Sequence, residues 1–454
     1  MGRFCQWMGG DEACCVQVRG VGRRLGGWHG AGMSVLPPSL YAATARPAPD
    51  TPPLAQDASV TVAIVGAGFA GLSTALHLAE RGVRALVIDA EEPGWGASGR
   101  NGGHVNPGLK EDPETVLARF GAEPGGRLLD FSYGAPDMTF DLIRRHQIQC
   151  DARQGGTLRA ARTEAHAAGV RQAAAECLAR GMPVQLLDAA GAAAATGGEG
   201  YVCAMLDPRG GDVQPLDFAR GLARAAIAAG AAVHGGTPAL SLERQGAGWR
   251  LRTPGAEILA ERVVLATNGY TGGLWPGLAQ TIVPVFSSLM ASAPLPDAVR
   301  AAILPGRSVL YENGRITVYC RVDAAGRMLL GGRGPQSDLS GPGGLQYLMR
   351  LGEERWPGLR GVEWTHGWNG QLAVTLDHYP HLHELAPGLL AYLGCNGRGV
   401  ALATAMGREL ARHVMGEPSV LPVSAPRPMR LHRFWKAGVA AAVIKGRVLD
   451  RLGL

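Results

Sequence analysis

The chain has 454 residues, 46% of them apolar and 18% charged, with a net charge of +6 and 67 glycines, roughly twice the usual share. That balance excludes a disordered chain, and glycines without a three-residue period exclude collagen. A charge of +6 over this length, without a recognition motif, gives no support for a nucleic-acid partner.

In chain order, residues 1–32 are rich in Gly and Arg and carry three of the eight cysteines, and Met33 is expected to be the true start. Six prolines between 37 and 53 predict an extended lead-in, so 1–59 reads as a disordered or extended segment. The N-terminus lacks the apolar core of a secretory signal, and no apolar run reaches the roughly 20 residues of a membrane span. The cysteines are scattered with no CxxC pair. This fits a reducing cytoplasm and argues against a metal site.

Residues 60–65 form a β-branched run expected to be a buried parallel strand. Leu72, Ala75, Leu76 and Ala79 follow at helical spacing to a stop at Gly82, and residues 84–88 make the next strand. The turn between strand and helix is Gly66-x-Gly68-x-x-Gly71. The first glycine permits the turn, the second lets backbone approach a pyrophosphate, and the third allows close helix–strand packing. The helix start at Phe69 and Ala70 would face the phosphates, and Asp89, followed by Ala90, would accept from ribose hydroxyls. An acid there argues against a 2′-phosphate. Helices are predicted at 163–180 and 216–229, with strands at 249–252, 257–259 and 263–266. From 281 to 333 the pattern alternates with turns at Asn313-Gly314 and 323–326, predicting an antiparallel sheet. A short buried strand at 389–393 precedes a helix opening near Gly399.

The segment 62–82, VAIVGAGFAGLSTALHLAERG, resembles the start of FAD-dependent amine oxidoreductases related to D-amino-acid oxidase. GASGRNGG at 96–103, VLATNGYT at 264–271 and LGCNGRGVALATAMG at 393–407 follow in the matching order. Over about 38–420 the chain is most similar to the gamma-glutamylputrescine oxidase-like branch. The resemblance implies an α/β protein: a Rossmann-like FAD-binding domain (60–150, 205–275, 376–420) and a second α+β substrate domain on an antiparallel sheet (151–204, 276–375). It implies that Ser98, Arg100, Asn101, Gly102 and Gly103 meet the phosphates, ribityl chain and ring. Gly394, Asn396, Gly397, Arg398, Gly399 and Val400 would meet the pyrimidine edge. Ala266 and Thr267 would lie near the ADP part, and Ala239 against adenine. FAD is expected to be non-covalent: the segment 368–373 has no Cys, and His104 is displaced from the position where relatives attach the ring.

The implied reaction is hydride transfer from an amine C–H to flavin N5, giving an imine that hydrolyses, with oxygen or another acceptor reoxidising the cofactor. A primary amine such as gamma-glutamylputrescine is the implied substrate class. His378, Tyr319 and Arg321 are the catalytic candidates, with Tyr311, Trp364, His366, Trp368 and His381 as further contacts. Arg321 clamping a substrate carboxylate would favour a D-amino-acid or sarcosine-type dehydrogenase; a flavin-binding subunit without turnover is the reading from another class. Only three lysines occur, Lys110, Lys436 and Lys445, so the body of the chain is expected to offer none beside the flavin. The basic tail 421–454, with its apolar stretch 439–444, is expected to be a helix packed back on the protein rather than one lying on a membrane surface.

Overall fold

The register of three parallel strands decides where this protein can bind anything. In the computed structural model, which describes residues 35–314 and 316–452, the strand Ala58–Val65 lies between Ala85–Ile88 and Glu257–Leu265. Val65 pairs with Ile88 on one side and Leu265 on the other, so Gly66, Asp89 and Ala266 leave the sheet side by side. Leu389–Leu393 runs parallel beyond Glu257–Leu265 and brings Gly394 to the same edge. This is the crevice outside the carboxyl ends of an open α/β sheet. The reading of residues 1–32 and Met33 lies outside the described residues.

Among the described residues the sheet has nine strands, completed by the strand pair Ser241–Gln245 and Gly248–Arg252, by Ala232–His234, by the antiparallel His381–Ala386 and by Val423–Ser424. Val62–Val65 is continuously buried, as a strand covered on both faces must be. The predicted pieces 257–259 and 263–266 are one strand, Glu257–Leu265. The predicted helices are Glu164–Ala179 and Pro215–Ala228.

A second sheet of eight strands contains Trp364–Val374, Val283–Pro294, Arg327–Gly332, Tyr319–Val322, Val309–Glu312 and Thr157–Ala161 as successive neighbours. It is antiparallel as expected except where Val309–Glu312 runs parallel to Thr157–Ala161. The proline-rich lead-in departs from an extended path once. Ser39 Oγ accepts from the Ala42 N–H and caps the helix Leu40–Thr44, in a stretch between Pro38 and Pro47 that is free of proline. That helix buries Tyr41 edge-on against Trp368, with ring centroids 5.1 Å apart.

Two helices start at the crevice, Phe69–Ala79 after the first glycine turn and Gly399–Val414 after the second. They cross at Ser73 and Gly407, where Ser73 Oγ donates to the Thr404 carbonyl at 2.7 Å and a Cβ on Gly407 would stand 2.3 Å from Ser73 Cβ. Their N-termini converge because their waists touch. Gly407→Ala is expected to cost about 1–3 kcal/mol of stability. In denaturant titrations, Ser73→Gly in that background should be less harmful than alone by about 1 kcal/mol or more.

Candidate active site

The first turn shows a separate reason for each glycine. Gly66 has φ +112°, and a Cβ there would sit 2.8 Å from the Ala266 carbonyl oxygen. At Gly71 a Cβ would be 2.0 Å from the Gly66 oxygen, so the helix could not lie against the strand end. At Gly68 a Cβ would fill the 2.9 Å gap to Ser98 Oγ. Gly68 and Arg398 stand at the N-cap positions of the two converging helices, and neither caps its helix through a side chain. First-turn N–H groups without a cap suit phosphate and carbonyl acceptors. Ser98 Oγ accepts from the Phe69 N–H at 3.0 Å and thereby closes the 96–103 loop onto the first helix.

Asp89 accepts from the Ala67 and Glu91 backbone N–H groups at 2.6 and 3.0 Å. Burial by the crevice walls outweighs these bonds and holds its carboxyl up to about 6. Ala90 is exposed beside it, and Ala239 and Thr267 are half-buried near the same strand ends. Thr237, two residues before Ala239, donates its N–H to the Asp89 carbonyl at 2.7 Å.

In the 96–103 loop the polar side chains serve the loop itself. Asn101 donates to the Ala97 and Ser98 carbonyls and accepts from the Gly103 N–H. Arg100 is buried, stacks on Trp95 and Tyr270, and donates to the Tyr270 hydroxyl and the Gly96 carbonyl. Its guanidinium points into the protein, so backbone groups are what this loop offers a ligand. His104 is buried with Nε2 unpartnered, and burial, with Arg321 and Arg398 nearby, lowers its imidazole to about 3, so it is neutral.

The second turn is braced by a residue that sequence reading missed. Asn268 Oδ1 accepts from the Gly394 N–H at 3.1 Å, joining two strand ends 126 residues apart. Asn396, at φ 49°, accepts from the Thr375 N–H and donates to the Gly394 carbonyl. A Cβ on Gly394 would meet Thr375 Cγ2 at 2.5 Å, whereas Gly397 faces open space. Gly399 opens the helix and Val400 is buried behind it. Arg398 turns away from solvent to donate to the Pro107 carbonyl and the Tyr311 hydroxyl, both at 3.0 Å.

The three catalytic candidates do not form one cluster of free groups. Arg321 is 3% exposed and fully engaged: it pairs with Asp212 at 2.8 Å and donates to the Gly102 carbonyl and the Tyr41 hydroxyl. It is a positioning residue rather than a clamp for a substrate carboxylate. Tyr319 lies edge-on to His104 and shares a hydrogen bond with Ser287; burial pushes its phenol up, so it stays protonated. His378 occupies an outward turn at φ 60° and binds Glu111 at 2.9 Å, with its side chain half exposed. Trp368 is wholly buried and donates to the Arg100 carbonyl, Trp364 belongs to the core, and His381 pairs with Asp377.

Lys110 is the other omission. It directly precedes the lysine-free stretch, yet it stands among the Arg398, Arg159 and Arg333 guanidiniums, and burial followed by these charges pushes its ammonium below the usual lysine range. The expectation of no lysine near the site is therefore corrected. Arg159 is neutralised by Asp112. Among the described residues neither Lys110 nor Arg398 has a carboxylate within ion-pair distance. Arg398, but not Lys110, lines a small cavity together with Leu109, Asp112, Arg159, Asp207 and Tyr311.

A glycine-lined crevice, two converging helix starts and a half-buried acid fit the pyrophosphate, ring edge and ribose of a flavin dinucleotide. They define a flavin-dependent oxidoreductase. Residues 61–413 match the family described as FAD dependent oxidoreductase (DAO), and the chain belongs to that family. It is 31% identical to a probable oxidoreductase OrdL of Rhizobium meliloti, over 84% of this chain and 89% of that one. It is 28% identical to the gamma-glutamylputrescine oxidoreductase of Escherichia coli, again over 84% and 89%. Among solved structures, glycine oxidase from Geobacillus kaustophilus matches with a TM-score of 0.68 at 24% identity, covering 80% of this chain and 97% of that one. The protein is an FAD-dependent amine or amino-acid oxidoreductase.

Asp89→Ala is expected to weaken FAD binding by about tenfold to a hundredfold. The folded carboxyl titrates near 6, above its ordinary 3.8. The apo fold is therefore favoured below 3.8 and loses that advantage as pH rises through about 6, while the ionised acceptor that ribose needs appears over the same range. FAD affinity of wild type, read by fluorescence, should fall as pH drops through about 6, and the variant should lack that step. Arg321→Met should lower stability by about 3–5 kcal/mol, because it leaves a buried carboxylate short of a partner. The residual enzyme should keep its KM, whereas a substrate clamp would raise it.

Proposed function

We propose that this chain oxidises the C–N bond of a primary amine that carries an acidic group at some distance from the nitrogen, using non-covalently bound FAD. The observation that carries this reading is Arg398, which lines the cavity without a carboxylate partner among the described residues, with Lys110 exposed next to the lining residue Leu109. A cation without a counter-charge suits a substrate carboxylate. A gamma-glutamylputrescine-like molecule has this layout, an amine at one end of a flexible chain and a carboxylate at the other. Arg321 gives no support to an amino-acid substrate held by its own α-carboxylate, because its donors are already occupied.

FAD, when bound, supplies the two-electron acceptor. The chain's own residues bind, orient and exclude water. The start of the helix Gly399–Val414 would offer N–H donors to the negative charge of a reduced ring. The 96–103 loop offers backbone groups held still by Asn101 and by Arg321 at the Gly102 carbonyl. Protonated Tyr319 and neutral His104 make an uncharged wall, which favours the neutral amine required for loss of a C–H hydrogen. Oxidation removes two electrons and two protons from the amine; water then hydrolyses the imine to an aldehyde and ammonia. Oxygen or another acceptor takes the electrons.

An amine panel tests this, with bleaching of the flavin absorbance as the readout for any acceptor and hydrogen peroxide as the readout for oxygen. Amines bearing a distal carboxylate should be preferred over their uncharged homologues. Lys110→Met should raise KM for the acidic amine by about tenfold and leave the homologue within about twofold. Equal effects on both would overturn the proposal. Acid precipitation should leave the yellow colour in the supernatant.

A further inference from the structure

We propose that the C-terminal helix Trp435–Leu452 docks the protein on the surface of an anionic lipid bilayer. The segment is tied to the body just before it begins: the Met429 N–H donates to the Gln280 carbonyl at 3.0 Å, and His432 Nε2 lies 2.8 Å from the Ile282 carbonyl oxygen. Along the helix, Trp435, Val439, Val443 and Leu449 are half-buried and Gly446 is buried, so one face is turned inward. The sequence alone led to the expectation of a helix packed back on the protein. The opposite face is what that expectation leaves unexplained.

Phe434, Ala437, Ala441, Ile444 and Val448 recur at three- and four-residue spacing and form a single stripe. They are exposed, with Phe434 at 53%, Ile444 at 64%, Val448 at 50%, and Leu431 just ahead of them at 70%. The stripe is about 20 Å long at 1.5 Å per residue. Water is a poor neighbour for so many large apolar side chains in a row.

The charge around the stripe selects the occupant. Between 427 and 454 the sequence has Arg427, Arg430, Arg433, Lys436, Lys445, Arg447 and Arg451 against Asp450 alone. Arg433, Lys436 and Lys445 are exposed, the first two at the start of the stripe and Lys445 along its edge. An apolar stripe with cationic borders matches acyl chains beneath anionic headgroups. A second copy of the chain fits poorly, because a two-fold contact would set one cationic segment against its twin. No described helix is long and apolar enough to cross a membrane, so the helix lies in the interface plane.

The test is co-sedimentation of the full-length, FAD-loaded protein with vesicles. Phosphatidylcholine vesicles containing about 30% phosphatidylglycerol should capture the protein at low salt, pure phosphatidylcholine should not, and about 0.5 M NaCl should release it. The triple variant Phe434→Asp, Ile444→Asp, Val448→Asp should lower the bound fraction by about tenfold with amine turnover unchanged. Lys436→Glu with Lys445→Glu, which leaves the apolar stripe intact, should weaken capture in the same direction. Wild-type protein that stays in the supernatant with anionic vesicles overturns the proposal. So does equal capture of wild type and both variants. A dimer in ultracentrifugation that the triple variant dissolves, with vesicle binding at background, would assign the face to self-association instead.

Discussion

The buried pairing of Arg321 with Asp212 is the interaction on which the rest of the site depends. Both side chains are almost wholly removed from water, at 3% and 1% exposure, where an uncompensated charge would be prohibitive. Asp212 is therefore also bound by Arg153, through both carboxylate oxygens. Arg321 directs its remaining donors to the Gly102 carbonyl and the Tyr41 hydroxyl. One charge pair thus fastens the second sheet, the flavin loop and the N-terminal helix to each other. It also explains the composition of the loop. A Cβ on Gly103 would come within 2.9 Å of Arg321 and 2.3 Å of the Val213 carbonyl oxygen, and one on Gly102 would meet the Tyr319 ring at 2.7 Å. The loop is glycine-rich at Gly102 and Gly103 because the second sheet presses on it from outside.

The other side of the crevice is set by backbone geometry. Parallel register aligns Gly66, Asp89 and Ala266, and the Ser73–Gly407 contact aims the two helix starts at one place. These two constraints act from the far side of the crevice whose outer wall the ion pair holds. The side chains of Asn101, Asn268, Asn396 and Ser98 hold the main chain around the crevice in shape.

Features with a local physical cause were legible in the sequence. The glycine turn, its following helix and the acid at the next strand end are each dictated by residues within about thirty positions. The strand 389–393 and the helix from Gly399 were equally clear. Arg321 was misread because its partner lies 109 residues away and nothing near it announces the pairing. His378 sat in a histidine-rich stretch before the second turn, but its positive φ turns it outward to Glu111. The 24-residue helix Ala122–Arg145 escaped notice because Gly125, Gly126, Gly134 and Pro136 look like loop residues, and its Pro136 is accommodated within the helix. Lys110 was passed over because a count along the chain says nothing of which guanidiniums surround it in space.

The small helix at the start of the described chain has a consequence for how the molecule is made. Tyr41 touches Arg321 across 280 positions and packs on Trp368, while the second cofactor turn does not leave the ribosome until after residue 399. Synthesis at about 5–20 residues per second leaves the glycine loop without its outer wall for roughly 10–50 seconds. Through that interval the loop lacks the Arg321 donor to the Gly102 carbonyl. Such long-range closure folds slowly. The crevice therefore gains its last wall only when almost the whole polypeptide has been made.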